Sequence, residues 1–254
     1  VKIAIMQPTF LPWVGYFDLI DRVDRFVFLD TVPLARQSWQ HRNRIKTAHG
    51  MQWLTLPVDT RASEQGLIAD VVLGPVRREK IRRAIEQSYA RAAFFKTFWP
   101  RFSSLIDEIA PGANLAALNI ALIAEACAVL GITTPLFRAS QLPPMDGRIE
   151  RLIAIVRALG GTTYVSPQGA AAYLAEVPGA FAAAGITLSF QSYRHPSYRQ
   201  LFPPFLAGCG IIDLLMNEGP ASAAVMRSGR CPEDPAESVF AAVAAAADRA
   251  EQAA

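Results

Sequence analysis

The chain has 254 residues, enough for one large domain or two small ones, and at 52% hydrophobic and 19% charged it has the composition of a globular protein with a sizeable core. Its formal charge of +3 argues against nucleic acid as a partner and gives mild support for an anionic small ligand. Cys127, Cys209 and Cys231 form no CxxC pair, so zinc held by cysteines is not expected, and their odd number fits a reducing cytoplasm.

No apolar segment is long and charge-free enough for a membrane helix, and no basic stretch leads into an apolar run, so neither a membrane span nor a signal peptide is expected. Ile3 to Met6 is a short apolar run that reads as a buried strand. A loop follows, and then Tyr16, Leu19, Ile20 and Val23 recur at helical spacing. Phe26 to Leu29 reads as a second strand ending at Asp30. Strand, loop, helix, strand is half of a parallel-sheet unit, and the ligand of such a sheet sits beyond the carboxyl ends of its strands. Gln7–Gly15 and Asp30–Asn43 would both lie there.

Residues 31–50 show no clean period and read as a long, ordered loop facing a ligand, carrying Ser38, Trp39, His41, Asn43, Arg44 and Lys46. Met51–Val58 reads as a strand, 59–66 as a loop, and Leu67–Val72 as a short strand. Helices follow over about 76–89, over 92–109 with an interruption near Trp99-Pro100, and over 114–130, where Gly131 serves as C-cap. The arginines and lysine on the outer face of the first of these helices suit a solvated face or an acidic partner. Thr134–Ala139 reads as a strand, Arg148–Leu159 as an amphipathic helix, Thr163–Ser166 and Ile186–Gln191 as strands, and Gly210–Met216 as an apolar helix. The expected architecture is an α/β parallel, Rossmann-like sheet. It divides into an N-terminal α/β half over 1–73, a mainly helical insertion over 74–131, a second α/β half over 132–235 and a terminal helix over 236–254.

Gly15 at a helix start supplies backbone N–H groups that suit an anion, with Pro12 and Trp13 packing the turn as the alternative role. This stretch resembles the start of the nucleotidyltransferases, whose first loop carries His-x-Gly-His. Here Trp13-Val14-Gly15-Tyr16 stands at that spacing, so both histidines that would donate to phosphate are missing.

A more specific resemblance runs along nearly the whole chain. KIAIMQPTFLPWVGYF, FVFLD, SWQHRNRIK, QWLTLPV, GRIERLIAIVRALGGTTYVSPQGAAAYL, FQSYRHPSYRQLFPPF and IIDLLMNEGP, in that order, resemble the WbqC-like family of bacterial proteins. Cys209-Gly210 departs from the Leu-Ser pair of the family pattern. The resemblance implies a role in surface polysaccharide (O-antigen) or specialised metabolite biosynthesis, with an acyl or aminoacyl group attached to an amine on an amino sugar.

Individual residues suit that chemistry. Gln7 has an amide able to read a donor–acceptor pattern. Asp30 and His195 are candidate bases, and His41 a further titrating candidate. Asn43, Arg44 and Lys46 orient and neutralise an anion. Ser166 and Gly169 suit an anion or hydroxyl at a helix start, since Pro167 removes an oxyanion donor and spoils a nucleophile elbow. Tyr193, His195 and Tyr198 make an aromatic recognition loop, and Asp213 and Asn217 share a helix face. Three readings follow: a transferase or ligase working on a small-molecule substrate such as a nucleotide sugar or an acyl or aminoacyl donor; an ATP-using nucleotidyltransferase-like enzyme; and a non-catalytic sugar- or nucleotide-binding protein. No cofactor and no oligomeric state follow from the sequence.

Overall fold

The computed structural model describes residues 1–59 and 66–252. The first apolar run forms β1 (Lys2–Met6), and α1 (Val14–Asp21) carries it into β2 (Arg25–Phe28). The two strands pair in parallel, with Ile3 opposite Arg25 and Met6 opposite Phe28. Their side chains alternate between two buried clusters: Ala4, Phe26 and Phe28 face α1, while Ile3, Ile5 and Val27 face the other layer. Burial on both faces is why these strands read as unbroken apolar runs.

The expected long loop over 31–50 is corrected in its second half. Residues 42–47 form β3 (Arg42–Thr47), paired antiparallel with β4 (Gly50–Thr55) across a turn at Ala48-His49. The strand was hidden because two of its three buried residues, Asn43 and Lys46, are polar, and only Ile45 is apolar. The short strand expected over 67–72 is instead β6 (Val72–Leu73), paired with β5 (Val58–Asp59). The loop expected over 59–66 falls for the most part outside the described residues.

Helices α2 (Arg78–Tyr89), α3 (Phe95–Asp107) and α4 (Leu115–Leu130) follow. α3 is not interrupted: it runs through Pro100, which is exposed, so the carbonyl left without its N–H partner faces water. Asn114 caps α4 by accepting from Ala117 N at 2.8 Å, and Gly131 ends it at φ 67°. On the basic face of α2, Arg82 reaches both Glu86 and Asp107.

The chain then forms β7 (Leu136–Arg138), α5 (Arg148–Ala158), β8 (Thr163–Ser166), the short helices α6 (Ala171–Leu174) and α7 (Ala180–Ala183), β9 (Thr187–Phe190), α8 (Ile211–Glu218), α9 (Ser222–Ser228), β10 (Asp234–Pro235) and α10 (Ala236–Gln252). The last two residues of the expected terminal helix lie outside the described residues. One six-stranded sheet runs β10-β9-β8-β1-β2-β7, parallel except for β10. From β1 the chain works outward to β2 and later β7. α5 then returns it to the far side of β1, where it continues outward through β8 and β9. The loops leaving β1 and β8 therefore diverge and open a crevice at their carboxyl ends, the position where open parallel sheets bind ligands. Among the described residues, no helix is long and apolar enough to cross a membrane.

Candidate functional site

A cavity of about 640 Å³ occupies that crevice. The loop after β1 lines it with Gln7, Thr9, Pro12 and Trp13. The segment entering β3 adds Trp39, Gln40, Asn43 and Arg44. Pro167, Gly169 and Tyr173 come from the β8 side, and Arg148 from the start of α5. Its charged lining residues are Arg44 and Arg148, and among the described residues no carboxylate lines it.

The β1–α1 loop is held by amides from elsewhere in the chain. Leu11 adopts a positive φ of 43°. Asn43 Nδ2 donates to the Phe10 and Leu11 carbonyls at 2.9 and 2.7 Å, while its Oδ1 accepts from Arg44 N at 2.7 Å. Asn119 Nδ2, fully buried on α4, donates to the Pro8 and Gln40 carbonyls. The Tyr16 hydroxyl and Thr9 Oγ both donate to the Gln7 carbonyl. The sequence offers Gly15 either an anion-binding helix start or a turn packed by Pro12 and Trp13, and the geometry shows the packed turn. A Cβ there would lie 2.3 Å from the Trp13 ring, and the Gly15 carbonyl accepts from Gln191 Nε2 at 2.8 Å. The glycine makes room for the indole.

The three residues expected to do acid–base work are engaged within the protein, and none lines the cavity. Asp30 is fully buried and receives Arg138 Nε at 2.8 Å, Ser140 N at 2.9 Å and Ser140 Oγ at 2.8 Å. It ties the end of β2 to the end of β7. His41 Nδ1 faces the Leu56 carbonyl at 3.1 Å. His195 has both ring nitrogens occupied: Nε2 accepts from Gly208 N at 3.1 Å, which leaves Nδ1–H to donate to the Pro196 carbonyl at 2.9 Å. It stacks on Trp13, and burial lowers its pKa, so it is neutral and without a free lone pair.

Behind the cavity lies a second group of predicted residues. Lys46, 3% exposed, donates to Gln200 Oε1 at 2.8 Å and to the Pro204 carbonyl. Gln200 Nε2 and the Tyr198 hydroxyl both donate to Asp213 Oδ2, at 2.7 and 2.8 Å. Burial raises the pKa of Asp213. Asn217 donates to the Asp213 backbone carbonyl, not to its carboxylate. Tyr193 donates to the Met226 carbonyl and sets its ring edge-on to Trp13. These residues hold the 192–209 loop against β3 and α8. Ser166 is buried with its hydroxyl on the Pro167 carbonyl, and burial pushes the Cys209 thiol up to about 12. Neither is a ready nucleophile.

Two cationic groups stand open to a ligand. Arg44 lies over the Trp39 and Trp53 rings and donates to the Gly208 carbonyl at 3.2 Å, while its buried Nε has no partner. Arg148 lies 3.5 Å from the centroid of Tyr173. The buried Ser38 hydroxyl oxygen is also unpartnered. Sequence reasoning missed Gln40, Asn119, Arg148 and Tyr173. Gln40 lies inside the stretch SWQHRNRIK, between the more conspicuous Trp39 and His41, and Asn119 sits in an apolar helix with no motif. Arg148, by contrast, carried a signal: a cation following Gly147 at the first position of a helix. Among the described residues, no group of three or more His, Cys, Asp or Glu side chains is arranged to hold a metal ion.

Residues 7–225 match the sequence model of a family described as "WbqC-like protein family". The chain is 34% identical over 226 residues to "Uncharacterized protein Rv1507c" of Mycobacterium tuberculosis, an alignment covering 86% of this chain and 94% of that one. No solved structure gives a significant match.

Proposed function

This chain belongs to the WbqC-like protein family, and we propose that its cavity binds a phosphate-bearing substrate such as a nucleotide-linked amino sugar and transfers an acyl or aminoacyl group to the amine. The observation that carries this reading is the cavity lining: two arginines, no carboxylate among the described residues, and the aromatic faces of Trp13, Trp39 and Tyr173. Guanidinium groups pair with phosphate in a bidentate manner, aromatic faces stack on rings, and the volume lies within the usual range for small-molecule sites. In amide formation negative charge grows on the carbonyl oxygen, and Arg44 Nε, buried and unpartnered, suits that oxygen. With Asp30 and His195 engaged elsewhere, the amine attacks the carbonyl of an activated acyl donor as its free base, the activating group departs with the electron pair of its C–O or C–S bond, and the amine proton passes to solvent, so the rate comes from proximity and charge stabilisation. The biosynthetic setting would be surface polysaccharide or a related specialised product, assembled in the cytoplasm.

A second reading, a non-catalytic binding protein, is favoured by the same lack of a free base in the cavity lining. Mass spectrometry separates the two. The protein is incubated with activated acyl and aminoacyl donors and a set of nucleotide-linked amino sugars. Transfer predicts a protein-dependent mass gain on the sugar that disappears in Arg44→Met. Tight binding of a nucleotide sugar with no mass gain from any donor would favour the binding protein.

A further inference from the structure

Two glutamine amides meet inside the cavity. Gln40 Nε2 donates to Gln7 Oε1, and both side chains line the cavity. Gln40 is 6% exposed, and its Oε1 is buried with no partner. Among the described residues nothing accepts from Gln7 Nε2. A buried amide carbonyl left unpaired is costly, and such an atom in a folded protein calls for an explanation.

The two amides are coupled. Each hydrogen bond needs one N–H and one C=O, so reversing either amide reverses the other. In both arrangements the pair presents one free N–H group and one free carbonyl. Three neutral polar neighbours are already engaged: Asn43 on three backbone groups, and Tyr16 and Thr9 on the Gln7 carbonyl. The glutamine pair, by contrast, offers a ligand both a donor and an acceptor beside the two arginines.

We propose that the Gln7–Gln40 pair reads a carboxamide on the ligand, accepting from its N–H and donating to its C=O, and so selects amide-bearing anions over analogues with a hydroxyl at that point. A carboxamide carries its N–H and C=O on one carbon and in one plane, on the same edge in a cyclic imide and on opposite edges in a trans N-acyl group, whereas a single hydroxyl offers one atom. A single Asn or Gln amide reads the edge of adenine by the same donor–acceptor complementarity. The inference rests on the anion reading of the cavity. The amide has two chemical sources, an acyclic N-acyl group on a sugar or the cyclic imide of a uracil ring.

Calorimetric titration of the wild-type protein with two matched pairs of probes tests it. N-acetylglucosamine 1-phosphate is compared with glucose 1-phosphate, and uridine monophosphate with N3-methyluridine monophosphate. The expected result is a preference of about tenfold or more for the amide member of one pair, since a site built to hydrogen-bond a polar group discriminates strongly against its absence. The pair that shows the preference identifies the source. Gln40→Met is expected to collapse the ratio to below about twofold, less than one hydrogen bond contributes. Equal affinities within both pairs, or a preference that survives Gln40→Met, would overturn the inference and leave the anion reading standing. No binding by any of the four probes would overturn the anion reading and this inference with it.

Discussion

Asn43 and Gln40 stand three residues apart and have similar side chains, yet they do opposite things. Asn43 commits its amide to three backbone atoms, two of them carbonyls in a loop with a positive φ at Leu11. Replacing it with Asp keeps the shape and removes the donors. Asn43→Asp and Asn43→Ala are both expected to lower stability by about 2–3 kcal/mol in urea unfolding, because each leaves buried carbonyls without donors; an Asp variant as stable as wild type would show those bonds to be unimportant. The sequence marked Gln7 and Asn43 alike as polar residues near strand ends, and only the hydrogen-bond partners tell a scaffold amide from an open one. Gly15 teaches the same lesson. Its position suggested an anion, but its neighbour is the Trp13 ring. Gly15→Ala should displace the indole from its stacking on His195, seen as altered tryptophan fluorescence and a lowered melting temperature. Unchanged emission and melting would show that the ring does not occupy that place.

The 192–209 loop illustrates how one element holds another. His195 stacks on Trp13 in the first loop, and Lys46 reaches from β3 to Gln200 and Pro204. The aromatic and proline content marked this loop as important, but not as a clamp engaging Lys46 and Asp213 from the inside. Burial lowers the His195 pKa in the folded state, so as pH falls below about 6.5 the unfolded chain takes up its proton first. Stability therefore drops with falling pH until the folded imidazole also protonates and releases the Gly208 N–H. The melting temperature should fall more between pH 7.5 and 5.5 in wild type than in His195→Asn. Equal pH dependence would mean that the ring is not held neutral.

The Lys46–Gln200–Asp213 chain makes a second test of this element. Lys46→Met leaves the Asp213 carboxylate buried without its neutralising charge and should cost about 3 kcal/mol or more. Adding Asp213→Asn should restore part of that stability. Strictly additive effects would show that the two charges are not coupled. Asp18 is a comparable residue that the sequence concealed. It sits inside apolar α1, yet it receives Arg230 Nε at 2.7 Å, Gln191 Nε2 at 2.8 Å and Arg22 Nε at 2.9 Å, joining the helix to segments some two hundred residues later. No local pattern encodes such a pairing.

At the scale of the whole molecule, the parallel sheet was readable because its central strands are buried on both faces and so appear as apolar runs. The place of the cavity followed from that topology, since loops that diverge from β1 and β8 open a crevice whatever their side chains are. The chemistry inside it was less readable, because function at a switch point depends on which polar atoms the scaffold leaves unpaired. The residues that looked most catalytic, Asp30 and His195, brace the fold, while Arg148 arrives from a helix more than a hundred residues after Arg44. These two arginines line one cavity and are the proposed anion site on which the proposed function depends. The most direct measurement is calorimetric titration with uridine diphosphate at low and moderate salt, for wild type, Arg44→Met and Arg148→Met. The expected result is binding to wild type that weakens with salt and falls by about tenfold or more in each variant, about 1.4 kcal/mol for each charge-assisted hydrogen bond removed. Affinity that is unchanged in both variants, or no binding to wild type, would contradict it.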